Sequence, residues 1–410
     1  MRLGPPGIVG LAIAFVVAAG TASTWELADP IPLVFDIAGP TPNGSLVVAA
    51  GGKLYLLNRT SGALVRFAAG PNGYPGAGGE EPYIAVAPAS VADEGFTPGD
   101  VFVLQLKPAG GILRIDSSGV ARPFANVGGV DSLNGITFDD VGGFGYRLLV
   151  TGPHAHHTTV AAIDHAGRVS VLTPNAPTVE GGIGVAPPDF GRFGTDLIAP
   201  DELSGTIYAI APNGAWRVVT RPDLARGGDV GVESAAFIPR VDDLATVTVY
   251  FADRGTPGNP HAGSDNLLAL TGAVLVRAGA RPGDLLVATE GGAGLLDVRC
   301  DMSSCRVTNV LPDNRVSHGE GHILVVAGAP APTFHPAPAA LTANPTSTPA
   351  VVIGGLIAAV LAAFAALLII RRRRAGPLIR SRQRGLRPAE FRLPGGSAPH
   401  PTCRPSTARG

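Results

Sequence analysis

Charge is scarce in this chain: 15% of its 410 residues are Asp, Glu, Lys or Arg, against 45% hydrophobic. Coiled coils and acidic disordered chains need far more charge, so both are excluded. Lysine occurs only at positions 53 and 107, a bias that follows genomic base composition and carries no function. Three cysteines exclude a disulfide-dense scaffold, and no CxxC spacing accompanies them to suggest zinc. A GxSxG elbow, an HExxH helix and a GxxxxGK[ST] loop are also missing. Serine nucleophilic catalysis, zinc proteolysis and nucleotide hydrolysis therefore have no support. Long stretches of period 3.6 are absent from residues 25–328, which excludes a helical body.

What is present begins with two apolar runs. Arg2, the run Gly7 to Ala19 and the small residues 20–23 have the layout of a secretory signal peptide over 1–23, with an uncleaved anchor as the alternative. Residues 351–370 contain no charged or polar side chain, and 20 residues at 1.5 Å each span about 30 Å, one hydrocarbon thickness. Arg371 to Arg374 follow directly and predict a cytoplasmic C-terminal side, hence a single-pass type I protein of the cell membrane with an extracytoplasmic body. Residues 329–349, rich in Pro, Ala and Thr, read as an extended stalk. The tail 371–410 carries 11 Arg against one Glu, leaving 20 basic and 31 acidic side chains for the rest. It reads as a disordered basic cytoplasmic segment attracted to anionic lipid. The acidic body argues against nucleic acid as a partner. Cys300 and Cys305 enclose four residues and would close as a disulfide in an oxidising compartment, two free thiols being the alternative. Asn43 and Asn58 stand in acceptor triplets that matter only where exported proteins are glycosylated.

Residues 25–328 read as all-β, with runs of five to seven β-prone residues separated by Gly, Pro, Asp or Asn. One unit recurs: an apolar strand, a turn-rich connection, a second strand often opened by Gly-Asp, and two further strands. First strands fall near Tyr83, Ile136, Ile183, Ala235 and Ile323. The 88-residue gap before the last fits two shorter units, which predicts a six-bladed β-propeller. Five or seven blades and a β-sandwich pair are the alternatives. Closure is expected from the termini, the strand at Ile323 joining those at 46–48, 54–56 and 64–66 in one blade.

In such a disk the residue before each first strand lies at one mouth of the axial channel. Those residues are Glu81, Asp131 and Asn134, Glu180, Glu233 and Glu320. Loops after second strands reach the same face and add His154, His156, His157, Asp201, Glu202, Asp253 and Glu290. Carboxylates converging on an axis repel one another and take up protons unless a cation offsets them, and hard divalent ions favour such oxygens. The expected metal ligands are thus Glu81, Asn134, Glu180, Glu233 and Glu320, with Ca2+ the fitting ion. The three histidines read either as a solvated loop or as a site for a softer metal or a proton relay.

Asn134-Gly135-Ile136, Asp139-Asp140, Leu148 to Thr151 and Gly319-Glu320-Gly321 resemble the blades of six-bladed gluconolactonase and strictosidine-synthase-like propellers. That resemblance implies a divalent cation at the channel mouth that polarises a lactone carbonyl or activates water, with Glu320 and Asn134 as ligands. Metal-assisted hydrolysis is then the enzymatic reading, with Glu180 or Glu233 as candidate base. The other reading, placed first for want of a complete catalytic signature, is a tethered module that binds a small molecule or an extracytoplasmic protein.

Overall fold

The computed structural model describes residues 24–79, 81–314 and 316–328. The expected leader, stalk, membrane span and basic tail lie outside the described residues. No helix among the described residues is long and apolar enough to cross a membrane.

Strand β1 (Glu26–Pro30) precedes a first blade of β2 (Val34–Ala38), β3 (Leu46–Ala50), β4 (Lys53–Leu57) and β5 (Leu64–Phe67). The second blade is β6 (Ile84–Val86), β7 (Val101–Leu104), β8 (Gly111–Ile115) and β9 (Ala121–Asn126). The third is β10 (Gly135–Phe138), β11 (Leu148–His154), β12 (His157–Ile163) and β13 (Val169–Ala176). The fourth is β14 (Gly184–Val185), β15 (Leu197–Asp201), β16 (Thr206–Ile210) and β17 (Trp216–Thr220). After β18 (Val232–Phe237) the chain leaves its blade for β19 (Thr248–Asp253), β20 (Asn266–Thr271) and helix α1 (Gly272–Ala278). It returns with β21 (Leu285–Thr289), β22 (Leu295–Cys300) and β23 (Cys305–Leu311) to finish the fifth blade, and ends in β24 (Gly319–Val326). The sixth blade has the order β24-β19-β20-β1.

These are six four-stranded antiparallel sheets, and the first strands β2, β6, β10, β14, β18 and β24 neighbour one another around the axis. The protein is an all-β six-bladed propeller. The expected blade count holds, but two details of closure do not. The strands at 46–67 have their own first strand, β2, and the termini meet instead where β1 forms the outer edge of the blade begun by β24. Asp36 concealed β2: an acid at the centre of a wholly buried strand looks like a break in an apolar run. It is accommodated because it accepts hydrogen bonds from Ile37 N (2.8 Å), Ile84 N (2.7 Å) and His322 N (2.7 Å). The 88-residue gap holds an excursion rather than two units, since buried strands β19 and β20 pair with each other and otherwise only with β24 and β1.

Packing between blades is apolar. Phe138 meets Phe96 and Phe102 edge to face, at centroid distances of 5.0 and 5.4 Å, between the second and third blades. Each such ring, taken fully from water, stabilises by about 1.5–3 kcal/mol. The recurring acid at the start of second strands has a structural task. Buried Asp100, Asp196 and Asp284 receive Arg114, Arg217 and Arg299. The preceding Gly99, Thr195 and Gly283 all have positive φ, 89°, 66° and 90°, a turn that glycine makes without strain. Cys300 and Cys305 are joined by a disulfide across the β22–β23 turn.

Candidate functional site

In an antiparallel blade the first strand starts and the second strand ends at the same face, so residues flanking these points gather at one mouth. Here they line a cavity of about 250 Å3, walled by Glu81, Tyr83, Asn134, Glu180, Glu202, Asp229, Glu233, Glu290 and Glu320. All five expected metal-ligating residues are among them, as are both residues expected to serve as bases, Glu180 and Glu233. Glu202 and Glu290, from the loops after β15 and β21, join them.

Glu233 lies deepest, 3% exposed, and its Oε1 accepts from Tyr83 Oη (2.7 Å) and Gly321 N (3.1 Å). Burial, then repulsion from Glu320 and Glu290, pushes its carboxyl well above the usual range. Gly321 has φ +68°, and a Cβ there would stand 2.4 Å from Phe35 O, so glycine is required where β24 shifts register beside Glu320. Glu180 reaches solvent, yet desolvation by the surrounding cavity wall raises it, with Glu290 and Glu81 adding to the effect while a hydrogen bond from Asn134 opposes it. Asn134 is itself held by Val179 O (3.0 Å) and Thr151 Oγ1 (3.2 Å).

Glu290 links two neighbours. Burial favours its neutral form, but hydrogen bonds from His318 and Glu202 outweigh this and leave it below the ordinary carboxyl value. Glu202, buried and repelled by Glu290, is pushed up to about 9 and carries the shared proton. Its Oε1 is buried with no hydrogen-bond partner. His318 Nε2 lies 3.1 Å from Glu290 Oε1 and 3.2 Å from Glu320 Oε1. Burial opposes its charge, yet the two carboxylates win and raise it to about 10. Glu320 is raised by burial, partly offset by His318. Arg254, at the end of β19, pairs with Glu81 and lies 3.5 Å from Glu320 Oε1.

One residue beyond Gly321, His322 presents Nδ1 to Asp36 Oδ1 (2.9 Å) and Nε2 to Ile136 O (2.8 Å). Both partners are acceptors, so the ring donates twice and is cationic; burial opposes that charge and Asp36 restores it, raising the pKa. His322 lines a second cavity of about 240 Å3, walled by the six first strands, that shares no residue with the acidic one.

Other expected residues stand apart. His154, His156 and His157 are exposed on the β11–β12 hairpin, with His154 Nδ1 3.8 Å from Asp131 Oδ1. Asp201 accepts from Ser204, and Asp253 accepts from His318 N (2.7 Å). His318, Arg254, the Tyr83 hydroxyl, Asp36 and His322 escaped the sequence reading. His318 was within reach, since it too stands just before a first strand.

Seven carboxyl groups at this mouth, those of Glu81, Glu180, Glu202, Asp229, Glu233, Glu290 and Glu320, face two cationic side chains among the described residues, His318 and Arg254. The ligand atoms of Glu290, His318 and Glu320 lie within 4.8 Å of one another. Carboxylate and amide oxygens with a buried, unpartnered Glu202 oxygen suit a hard divalent cation rather than a soft one.

No family model and no curated protein matches the chain. Among solved structures it is similar to virginiamycin B lyase from Staphylococcus aureus, an inactive variant with quinupristin, at 14% identity, 58% of this chain, 64% of that one and TM-score 0.36. It is also similar to the calcium-binding protein regucalcin from Agrobacterium tumefaciens, at 12% identity, 70% and 78% coverage and TM-score 0.40. The likeness is one of propeller fold.

Proposed function

We propose that this propeller is a binding module whose acidic mouth holds a divalent cation, Ca2+ fitting its donors, and receives a small molecule or a protein segment over that ion. One observation carries the reading: carboxyl groups from four blades, joined by the Asn134 amide of a fifth, converge on a single 250 Å3 cavity, with a buried Glu202 oxygen left unpartnered. Glu180, Glu233, Glu320 and Asn134 would hold the ion, with Glu202 and Glu290 beside them. When bound, such an ion supplies Lewis acidity toward a carbonyl or phosphoryl oxygen. Metal analysis of the full-length protein, paired with calorimetric Ca2+ titration, tests this; absence of binding removes the reading.

A second reading, a lactonase-type hydrolase, is favoured by the buried Tyr83–Glu233 pair at the cavity floor. There Glu233 in its protonated form would act as proton donor, and Glu180, nearer the mouth, as base. A lactone and ester panel with Glu180→Gln and Glu233→Gln separates the two, since a binding module shows no turnover to lose.

The body would stand outside the cell membrane, held off it by residues 329–349 and anchored by 351–370, with Arg371 to Arg374 against anionic lipid. The Cys300–Cys305 disulfide supports export. Protease protection of the tail in sealed vesicles tests the topology.

A further inference from the structure

A cation already lies against Glu320, one of the side chains proposed to hold the ion. Arg254 leaves β19 of the sixth blade, crosses to Glu81 before β6 of the second, and lies 3.5 Å from Glu320 Oε1 in β24. Its guanidinium sits 5.9 Å from the Phe35 ring centroid, an aromatic backing that steadies the side chain. The side chain is 14% exposed, whereas that of Glu81 is 54% exposed. Arg254 is therefore sunk in the rim while its partner can swing outward. Arginine keeps its charge at any working pH, so it cannot leave the site by losing a proton.

We propose that Arg254 is a built-in competitor of the divalent cation: it occupies Glu320, neutralises part of the ring in the ion-free state, and is drawn off Glu320 toward Glu81 when the ion enters. The inference rests on the cation reading given above and adds the element that sets the affinity of that site. Glu81 then works as a positioning residue, the outer post to which Arg254 retreats, and not as an ion ligand. A monovalent ion offers too little charge to exchange for the guanidinium, so Arg254 also selects for charge.

Calorimetric Ca2+ titration of the full-length protein, wild type against Arg254→Gln, is the test. The expected result is about tenfold tighter Ca2+ binding in Arg254→Gln, with measurable Na+ competition that wild type lacks, and wild-type behaviour in Arg254→Lys, which restores the charge. Glu81→Gln should weaken Ca2+ binding in the wild-type background and leave it unchanged in the Arg254→Gln background, because its effect passes through Arg254. Wild type that binds Ca2+ beside an Arg254→Gln protein that binds it equally or more weakly overturns the competitor alone. So does a Glu81→Gln effect of equal size in both backgrounds, a measurement that stands on proteins of matched melting temperature. Failure of wild type and all variants to bind Ca2+ overturns the ion and the competitor together, whereas binding by Arg254→Gln alone supports the competitor.

Discussion

Tyr83 donates its phenolic hydrogen to Glu233 Oε1 at 2.7 Å, although the two residues are 150 positions apart and belong to the second and fifth blades, on opposite sides of the axis. This bond ties the ring across its diameter at the floor of the acidic cavity. Tyr83→Phe removes the donor and leaves Glu233 buried with Gly321 N as its remaining hydrogen-bond partner here. The variant should lose about 1–3 kcal/mol, read from urea unfolding monitored by circular dichroism.

Asp36 and His322 make the second tie. Asp36 is fully buried and accepts from two backbone groups of other blades as well as from the His322 ring. Asp36→Ala leaves a cationic imidazole buried without its counter-charge, a loss of about 3–5 kcal/mol. The same unfolding series checks it, and a variant within 1 kcal/mol of wild type would show that the pair is not closing the ring.

Stability without added metal should fall as pH rises. Burial and then repulsion by Asp284 raise Asp297 to about 7, while Glu202 sits at about 9 and His318 at about 10. Each folded value exceeds its unfolded one, so the folded state binds protons that the unfolded chain releases. The contribution is complete below the unfolded values, about 4 for the acids and 6.5 for the histidine. It is lost as pH passes through 7, 9 and 10. Melting temperatures taken from pH 5 to 9 in chelator should decline, and saturating Ca2+ should flatten the part of the decline that comes from the mouth, where the ion offsets the carboxylates, while the Asp297 part near pH 7 remains.

Gly321→Ala tests the register shift in β24. With φ +68° and a Cβ directed to within 2.4 Å of Phe35 O, the variant should lose more than about 2 kcal/mol and displace Glu320. Its Ca2+ affinity should fall along with its stability, read by calorimetry.

Much of this architecture was legible because blade strands obey local rules. Between residues 81 and 219 each strand is a short apolar run ended by a turn, and the Gly-Asp openings recur because Arg114 and Arg299 need buried partners. The acidic ring was legible for a similar reason: position before a first strand decides which mouth a residue faces. Closure was not legible. Nothing in β1 states that it will pair with β20, or in β19 that it will wait for β24, since those choices depend on which sheet edges remain open once the ring forms. Asp36 misled because its hydrogen-bond donors come from residues 84 and 322. Arg254 and Tyr83 act across the axis, where sequence spacing carries no distance.

The most direct test of the cation site is the melting temperature of chelator-stripped, full-length protein, measured with and without Ca2+ at 100 times its dissociation constant. An ion held by Glu180, Glu233 and Glu320 stabilises the fold by about 2.7 kcal/mol at that excess, visible as a rise of several degrees that Glu180→Gln or Glu320→Gln reduces. A melting temperature unmoved by Ca2+ or by chelator would contradict the account, leaving the acidic mouth as a proton-sharing network closed by His318 and Arg254.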